Sequence, residues 1–282
     1  MYNLCVELTA GRLDKQRTWW RKLRAVFGIH VQGMLAYRAQ AFIWIMTDII
    51  PALIMPAVWL ASFNGRSNIV GFNPQQLVMY YIVMAALTSF VVSHVMWDMA
   101  NEIREGQLSA KLVRPFSYYQ YMFMGNLAWR IMRTVFFIPI MAAGALLYRN
   151  YLDLSSLHAS GMFWVCLLGG HLLSFALTFT LGVLALFFQE ARSIYNVYYV
   201  PMLFLSGQMV PIAMLPSWCR QISQWMPFEY TLALPTNILL GKITDAQAIQ
   251  GLAVQLSWFL LITLLGALLW RRGLRSYTAV GM

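Results

Sequence analysis

The chain has 282 residues, of which 60% are hydrophobic and 11% charged, and a formal net charge of +10. Soluble domains run to about 45–50% apolar and about 25% charged residues, so this composition excludes a water-soluble globular protein. It also excludes a nucleic-acid binder, because the basic residues flank apolar runs instead of gathering into one solvated patch.

The N-terminal MYNLCVELTAGRLDKQ lacks the apolar core of a secretory signal, so the first span is expected to direct insertion. From Thr18 to Tyr37 apolar residues recur at helical spacing, with Trp19 and Trp20 among them, while Arg17, Arg21 and Arg24 share another face. This predicts an amphipathic helix in the inner interface, with tryptophans at headgroup level and arginines drawn to anionic lipid. Contact with a cytoplasmic subunit is compatible with that placement.

At roughly 20 apolar residues per crossing of about 30 Å of hydrocarbon, the pattern gives six spans, at 39–62, 77–97, 119–148, 161–188, 194–213 and 248–270. A single membrane domain covers 1–282: a tail and interfacial helix over 1–38, a six-helix bundle over 39–270 and a closing tail over 271–282. Basic residues crowd one side, from Arg12 to Arg38, at Arg104, Lys111 and Arg114, at Arg192, and at Arg271, Arg272 and Arg275. The opposite loops hold only Arg66, Arg149, Arg220 and Lys242, so the positive-inside rule puts both termini in the cytoplasm.

Span one carries Asp48, Pro51 and Pro56, which predict a kinked helix with a carboxylate facing protein or water. That acid either fixes packing through a hydrogen bond or belongs to a substrate pathway. His94 in span two and His171 in span four lack partners at metal spacing and read as satisfied core histidines. Cys5, Cys166 and Cys219 likewise form no ligand set.

Between spans two and three lies NEIREGQLSAKLVRPFSYY, a short charged helical insert punctuated by Gly106 and stopped at Arg114–Pro115. It is too small to be a domain and predicts a docking element for a soluble partner, with Leu108 and Leu112 at i and i+4 as an apolar stripe. Arg130 and Arg133 interrupt span three. They are read as marking the inner end of the crossing, with residues 118–130 along the interface and the arginines snorkelling; an inner vestibule lined by arginine is the alternative.

After Ile194 the segment is cut by Pro201, Pro211, Pro216, Pro227 and Pro235, with Ser206 and Gly207 among them. Pieces too short to cross predict a re-entrant helical hairpin on the outer side, with Trp218, Trp225, Phe228 and Tyr230 at the outer interface. An ordinary loop with an interfacial helix is the simpler alternative. The sequence has no GxxxxGK[ST], HExxH or GxSxG, so any energy source is expected on a partner or in a gradient.

Four segments, AYRAQAFIW, EIREGQLSAKLVRPFSYYQYMF, FLSGQMVPIAMLPSWCRQISQWMPFEYTLALPTNILLGKI and RRGLRSYTAVGM, together resemble the membrane subunit of an ABC-2-type exporter, in a subgroup long known only by an uncharacterised domain. The resemblance implies an all-α membrane fold: six helices, an amphipathic N-terminal helix (Trp19, Trp20, Arg21, Arg24), a cytoplasmic coupling helix and an outer re-entrant hairpin. It implies a dimer with an identical or related permease in a bacterial cytoplasmic membrane, and separate ATPase subunits that bind ATP and Mg and dock on Glu102, Arg104, Glu105, Gly106, Leu108, Leu112, Arg114 and Pro115. Ser206, Gly207, Met209 and Pro211 match the outer gate, and Asp48 is placed with them on the translocation path. No cofactor, metal or catalytic residue is expected on this chain. The 18 methionines and 11 tryptophans suit a hydrophobic or amphipathic substrate, with organic cations left open by Asp48. An intramembrane enzyme of lipid metabolism and a gradient-driven transporter are the alternatives.

Overall fold

The computed structural model describes residues 2–36, 43, 53–188 and 190–277. Most of the expected first span, with Asp48 and Pro51, lies outside the described residues. The described part is all-helical. Helix α1 (Tyr2–Ala36) begins well before the expected Thr18, and α2 (Met55–Phe63) is the far end of the first apolar stretch. It carries Pro56 in its first turn, where a missing N–H costs little.

The second span is two helices, α3 (Pro74–Val91) and α4 (Val95–Arg104). Asn73 and Gln76 cap α3 reciprocally, with Pro74 at its first position. The break at Val92–His94 contains neither glycine nor proline and is held from outside. The Ser93 amide donates to Ser174 Oγ at 2.9 Å, and His171 Nδ1 lies 3.1 Å from the Phe90 carbonyl. The Ser93 hydroxyl donates to Asn126 Oδ1 at 3.0 Å. Backbone freed at membrane depth is tolerated because neighbouring side chains satisfy it.

Helix α5 (Gln107–Leu112) follows, then α6 (Tyr118–Leu147), which runs unbroken past Arg130 and Arg133. This corrects the snorkelling reading: Arg130 is 1% exposed and Arg133 7%, so both side chains are enclosed by the protein and do not extend from its surface. Arg130 Nη2 instead contacts His94 Nδ1 at 3.1 Å, beside the break.

Helix α7 (Gly161–Val183) is the centre of the bundle, packed by α8 (Ala191–Leu205), α9 (Ser217–Trp225), α10 (Glu229–Leu239) and α11 (Asp245–Ser276) through direct contacts or one another. The α7–α11 contact is the most extensive. At Gly266 the helices come so close that a Cβ would stand 2.5 Å from Thr180 Oγ1, whose hydroxyl donates to the Ile262 carbonyl at 3.2 Å. Fully buried Gln255 donates from Nε2 to the carbonyls of Cys166 and Tyr230, tying α11 to α7 and α10.

Among the described residues four helical stretches are long and apolar enough to cross a membrane: Pro74–Arg104, Tyr118–Leu147, Gly161–Leu186 and Asp245–Ser276. The first and third are inner members, while α6 and α11 turn wide faces outward, with Leu260, Leu261, Leu264 and Leu268 of α11 all exposed. Leucine rows of this kind belong against hydrocarbon or another apolar surface. Of the expected span at 194–213 the helix covers only the part up to Leu205. α8 stops at Leu205 after 15 residues, about 22 Å at 1.5 Å per residue, short of the roughly 30 Å core.

The two larger apolar clusters lie on either side of the break, and outer and inner follow the orientation expected from the basic residues. The outer one joins Leu77, Tyr80 and Met84 of α3 to Phe163, Met202 and Leu232. The inner one joins Val95 and Met99 of α4 to Leu108, Tyr118, Met122, Phe175 and Phe179.

Candidate functional site

The inner charged insert is two helices meeting at a glycine turn. α4 ends at Arg104, Gly106 takes φ +72°, and α5 starts at Gln107. A left-handed residue there lets α5 leave the axis of α4, which only glycine does without a Cβ clash.

One face of this element is fastened to the bundle. Glu102 accepts from the Tyr118 hydroxyl at 2.7 Å and pairs with Lys111, whose ammonium also stands 4.6 Å from the Tyr121 ring centroid. Ser109 and Tyr277 share a hydroxyl contact at 3.2 Å, and Leu108 is fully buried in the inner cluster. Two residues expected at a partner contact, Glu102 and Leu108, therefore point into the protein. The i, i+4 stripe fails because the side of α5 that carries Leu108 is the one that packs.

The other face is open. Arg104, Glu105, Leu112, Arg114 and Pro115 are exposed, and Val113, which sequence reasoning passed over, is 84% exposed. α1 braces this edge. Lys22 donates to the Pro115 carbonyl at 3.3 Å, and the His30 ring lies over Gly125 of α6 and 4.7 Å from the Tyr121 ring. Burial, and next the Lys111 charge, hold the His30 imidazole below its ordinary value, with Glu102 opposing. On α1, Leu23 is buried while Trp19, Trp20, Arg21 and Arg24 are exposed. Asp98 of α4, also missed, is an exposed acid one turn beyond His94.

The outer site is the turn after α8. Gly207 adopts φ +78°, and a Cβ there would stand 2.6 Å from the Tyr80 hydroxyl. That hydroxyl donates to the Gly207 carbonyl at 2.6 Å, the Tyr81 hydroxyl donates to the Met209 carbonyl at 3.0 Å, and Trp59 Nε1 donates to Tyr81 at 2.7 Å. Ser223 Oγ of α9 lies 2.7 Å from the Glu229 carboxylate and 3.1 Å from the Leu205 carbonyl, which brings α9 against the end of α8. Ser206 is fully buried, Met209 is exposed, and Pro211 precedes the 3-10 turn Ile212–Met214. The four expected gate residues thus share one pinned turn, and Asp48 lies outside the described residues. Beside the turn, between α3 and α6, is a small, partly open cleft lined by Tyr81, Met84, Thr88, Arg133, Phe137 and Gln208 among others.

Residues 42–281 match the family described as ABC-2 family transporter protein. The chain belongs to the ABC-2 transporter family. This ABC-2 protein is a multi-pass membrane permease subunit of an ABC transporter, a transport component and not a catalytic enzyme, and its family implies partnership with an ABC ATPase subunit. No curated protein and no solved structure matches the chain.

Two histidines of this permease, His94 and His171, are engaged at the broken span: His171 lies against the Phe90 carbonyl and 3.5 Å from Asn126 Nδ2, and His94 against Arg130. What the arrangement offers is mechanical. A surface edge at the inner end of α4 is continuous, through the break, with α3 and the pinned outer turn.

Proposed function

We propose that this permease is the translocating half of an ATP-driven exporter for a hydrophobic or amphipathic substrate. It works as a dimer with an identical or related second permease, in a bacterial cytoplasmic membrane with both termini inside. ATP and Mg are bound by separate nucleotide-binding subunits that dock on the exposed edge formed by Arg104, Glu105, Leu112, Val113, Arg114 and Pro115.

The observation that carries this reading is the two-sidedness of the inner element. Its Leu108–Glu102–Lys111 side is locked to the bundle while its Val113 side is open, which is what a lever needs: a rigid grip on the moving part and a free face for the force. Closure of the ATPase subunits pushes α5, α5 carries α4, and the motion reaches the outer turn through the broken span. In this reading six helices cross the bilayer, the first over 39–62. Helices α9 and α10 form a hairpin dipping in from the outer side, consistent with the shortness of α8 and with the exposed Trp218, Ile222 and Trp225 of α9. α1 lies on the inner surface, with Trp19, Trp20, Arg21 and Arg24 against lipid headgroups.

The test is charge reversal at the open edge. Glu105→Lys with Arg114→Glu should release the ATPase subunit on purification while membrane insertion and monodispersity stay unchanged. Full retention of the subunit by the double variant would count against docking at this edge.

A further inference from the structure

The joint between α8 and α9 rests on one hydroxyl with two claimants. Ser223 is fully buried, and its Oγ lies 2.7 Å from Glu229 Oε2 and 3.1 Å from the Leu205 carbonyl. Leu205 is the last residue of α8, so its carbonyl has no intrahelical partner, and among the described residues no backbone N–H reaches it. A serine hydroxyl carries one proton and two lone pairs, whereas an ionised carboxylate only accepts. With Glu229 ionised, the Ser223 proton goes to the charged oxygen, the shorter and stronger contact, and the Leu205 carbonyl is left without a donor. With Glu229 protonated, the carboxyl O–H donates to Ser223 Oγ, and the Ser223 O–H is free to donate to Leu205. Two protons then serve the three oxygens in one chain, from Glu229 to Ser223 to Leu205.

The surroundings leave this choice to Glu229. Its carboxyl is half-buried in the first turn of α10, where burial raises it above its ordinary value and the Ser223 hydrogen bond opposes. The titratable groups around it are phenols: Tyr80 of α3, Tyr230 of α10 itself, and Tyr198 of α8, whose ring lies 5.6 Å from that of Phe228. Phenols stay neutral through the physiological range. α7 and α11 meet this part of α10 with Gly170 and Gln255, which do not titrate. Of the neighbouring cations, Arg220 of α9 is exposed and Lys242 sits over the Phe72 ring, 3.3 Å from its centroid. We propose that Glu229 is a proton-operated latch: taking up one proton lets Ser223 tie α9 to the end of α8, and losing it draws Ser223 away and frees α9. The tyrosine bonds that hold the Gly207 turn to α3 are the same in either state, so acidity on this side of the protein sets whether α9 moves with α8.

The test uses the full-length chain in lipid nanodiscs, carrying Cys5→Ser and Cys219→Ser so that only the fully buried Cys166 remains, with a fluorophore attached through Gln221→Cys at an exposed position of α9. Anisotropy of the fluorophore reports how firmly α9 is held. As the pH rises from about 4 to about 8, it should fall in one step whose midpoint lies above 4.5, the ordinary glutamate value. Glu229→Gln keeps an N–H donor for Ser223 and should hold the acid-side anisotropy at every pH. Ser223→Ala cuts the chain and should show the alkaline-side anisotropy at every pH. These opposed levels separate a latch from a loss of folding, which would lower both. No step in the parent chain, a step that survives Glu229→Gln, or a Glu229→Gln level equal to that of Ser223→Ala overturns the proposal. His30 is unchanged in both variants, so a step arising from it would persist and count against Glu229.

Discussion

The inner element and the outer turn each hinge on a left-handed glycine, Gly106 at φ +72° and Gly207 at φ +78°, yet their surroundings are opposite. Around Gly207 the backbone carbonyls of Gly207 and Met209 are taken by the hydroxyls of Tyr80 and Tyr81, so the turn is held by α3. Beyond Gly106 the chain is fastened to the bundle through Glu102 and Lys111, braced by Lys22 at the Pro115 carbonyl, and ends in the exposed edge at Val113–Pro115. One turn is built to stay where the bundle puts it, and the other to be gripped by something else. Similar local sequence chemistry, a glycine turn with a proline downstream, thus serves two purposes that only the tertiary neighbours distinguish.

The sharpest break in that comparison comes from glycine replacement. Gly207→Ala combines a left-handed penalty of about 1–2 kcal/mol with a Cβ placed 2.6 Å from the Tyr80 hydroxyl, so it should displace that tyrosine and greatly reduce the folded fraction in fluorescence-detected gel filtration. Gly106→Ala meets the conformational penalty and should lower thermal stability less. Equal losses would mean the two turns are not differently held. Next in size, Tyr80→Phe removes the 2.6 Å bond to the Gly207 carbonyl and should cost about 1–3 kcal/mol, because a buried acceptor is left unmet. The check is a fall in Tm with the far-UV helical signal intact.

Val113→Asp, at an 84% exposed position, should change Tm hardly at all and weaken recovery of the ATPase subunit. A large drop in Tm would show that this edge is structural. The smallest effect is expected at His30. Its imidazole is held below its ordinary 6.5 by burial and by Lys111, so the folded chain resists a proton that the unfolded chain accepts. Stability is then full above about 6.5 and declines as the pH falls below it, because the unfolded state binds more protons there. The seat of α1 on α6 should loosen on acidification, read as increased protease cleavage within α1, and His30→Gln should flatten that dependence.

Much of the bundle was legible because a membrane demands long apolar runs, and α7 and α11 fall close to their expected limits. The break in the second span was not, since Val92–His94 has no breaker and depends on Ser174 and His171 of α7. Arg130 was misplaced for the same reason: its contact is His94, and sequence spacing says nothing about a side chain 36 positions away. The outer prolines were half informative. Pro211, Pro216 and Pro227 stand between helices as expected, whereas Pro201 and Pro235 lie inside α8 and α10. In the inner insert the charge pattern announced a surface element, but Glu102 and Leu108 could not be told from their outward neighbours until Tyr118 and the inner cluster were in view.

The central claim is that force enters through the Val113 edge from a separate ATPase. It is tested most directly by placing a photo-reactive side chain at position 113 and, as comparator, at position 209 on the outer turn, then irradiating intact membranes. A cross-link to a nucleotide-binding subunit from position 113 and none from position 209 is the predicted result. Capture of that subunit from position 209, or cross-links from position 113 only to this chain or to lipid, would contradict the account.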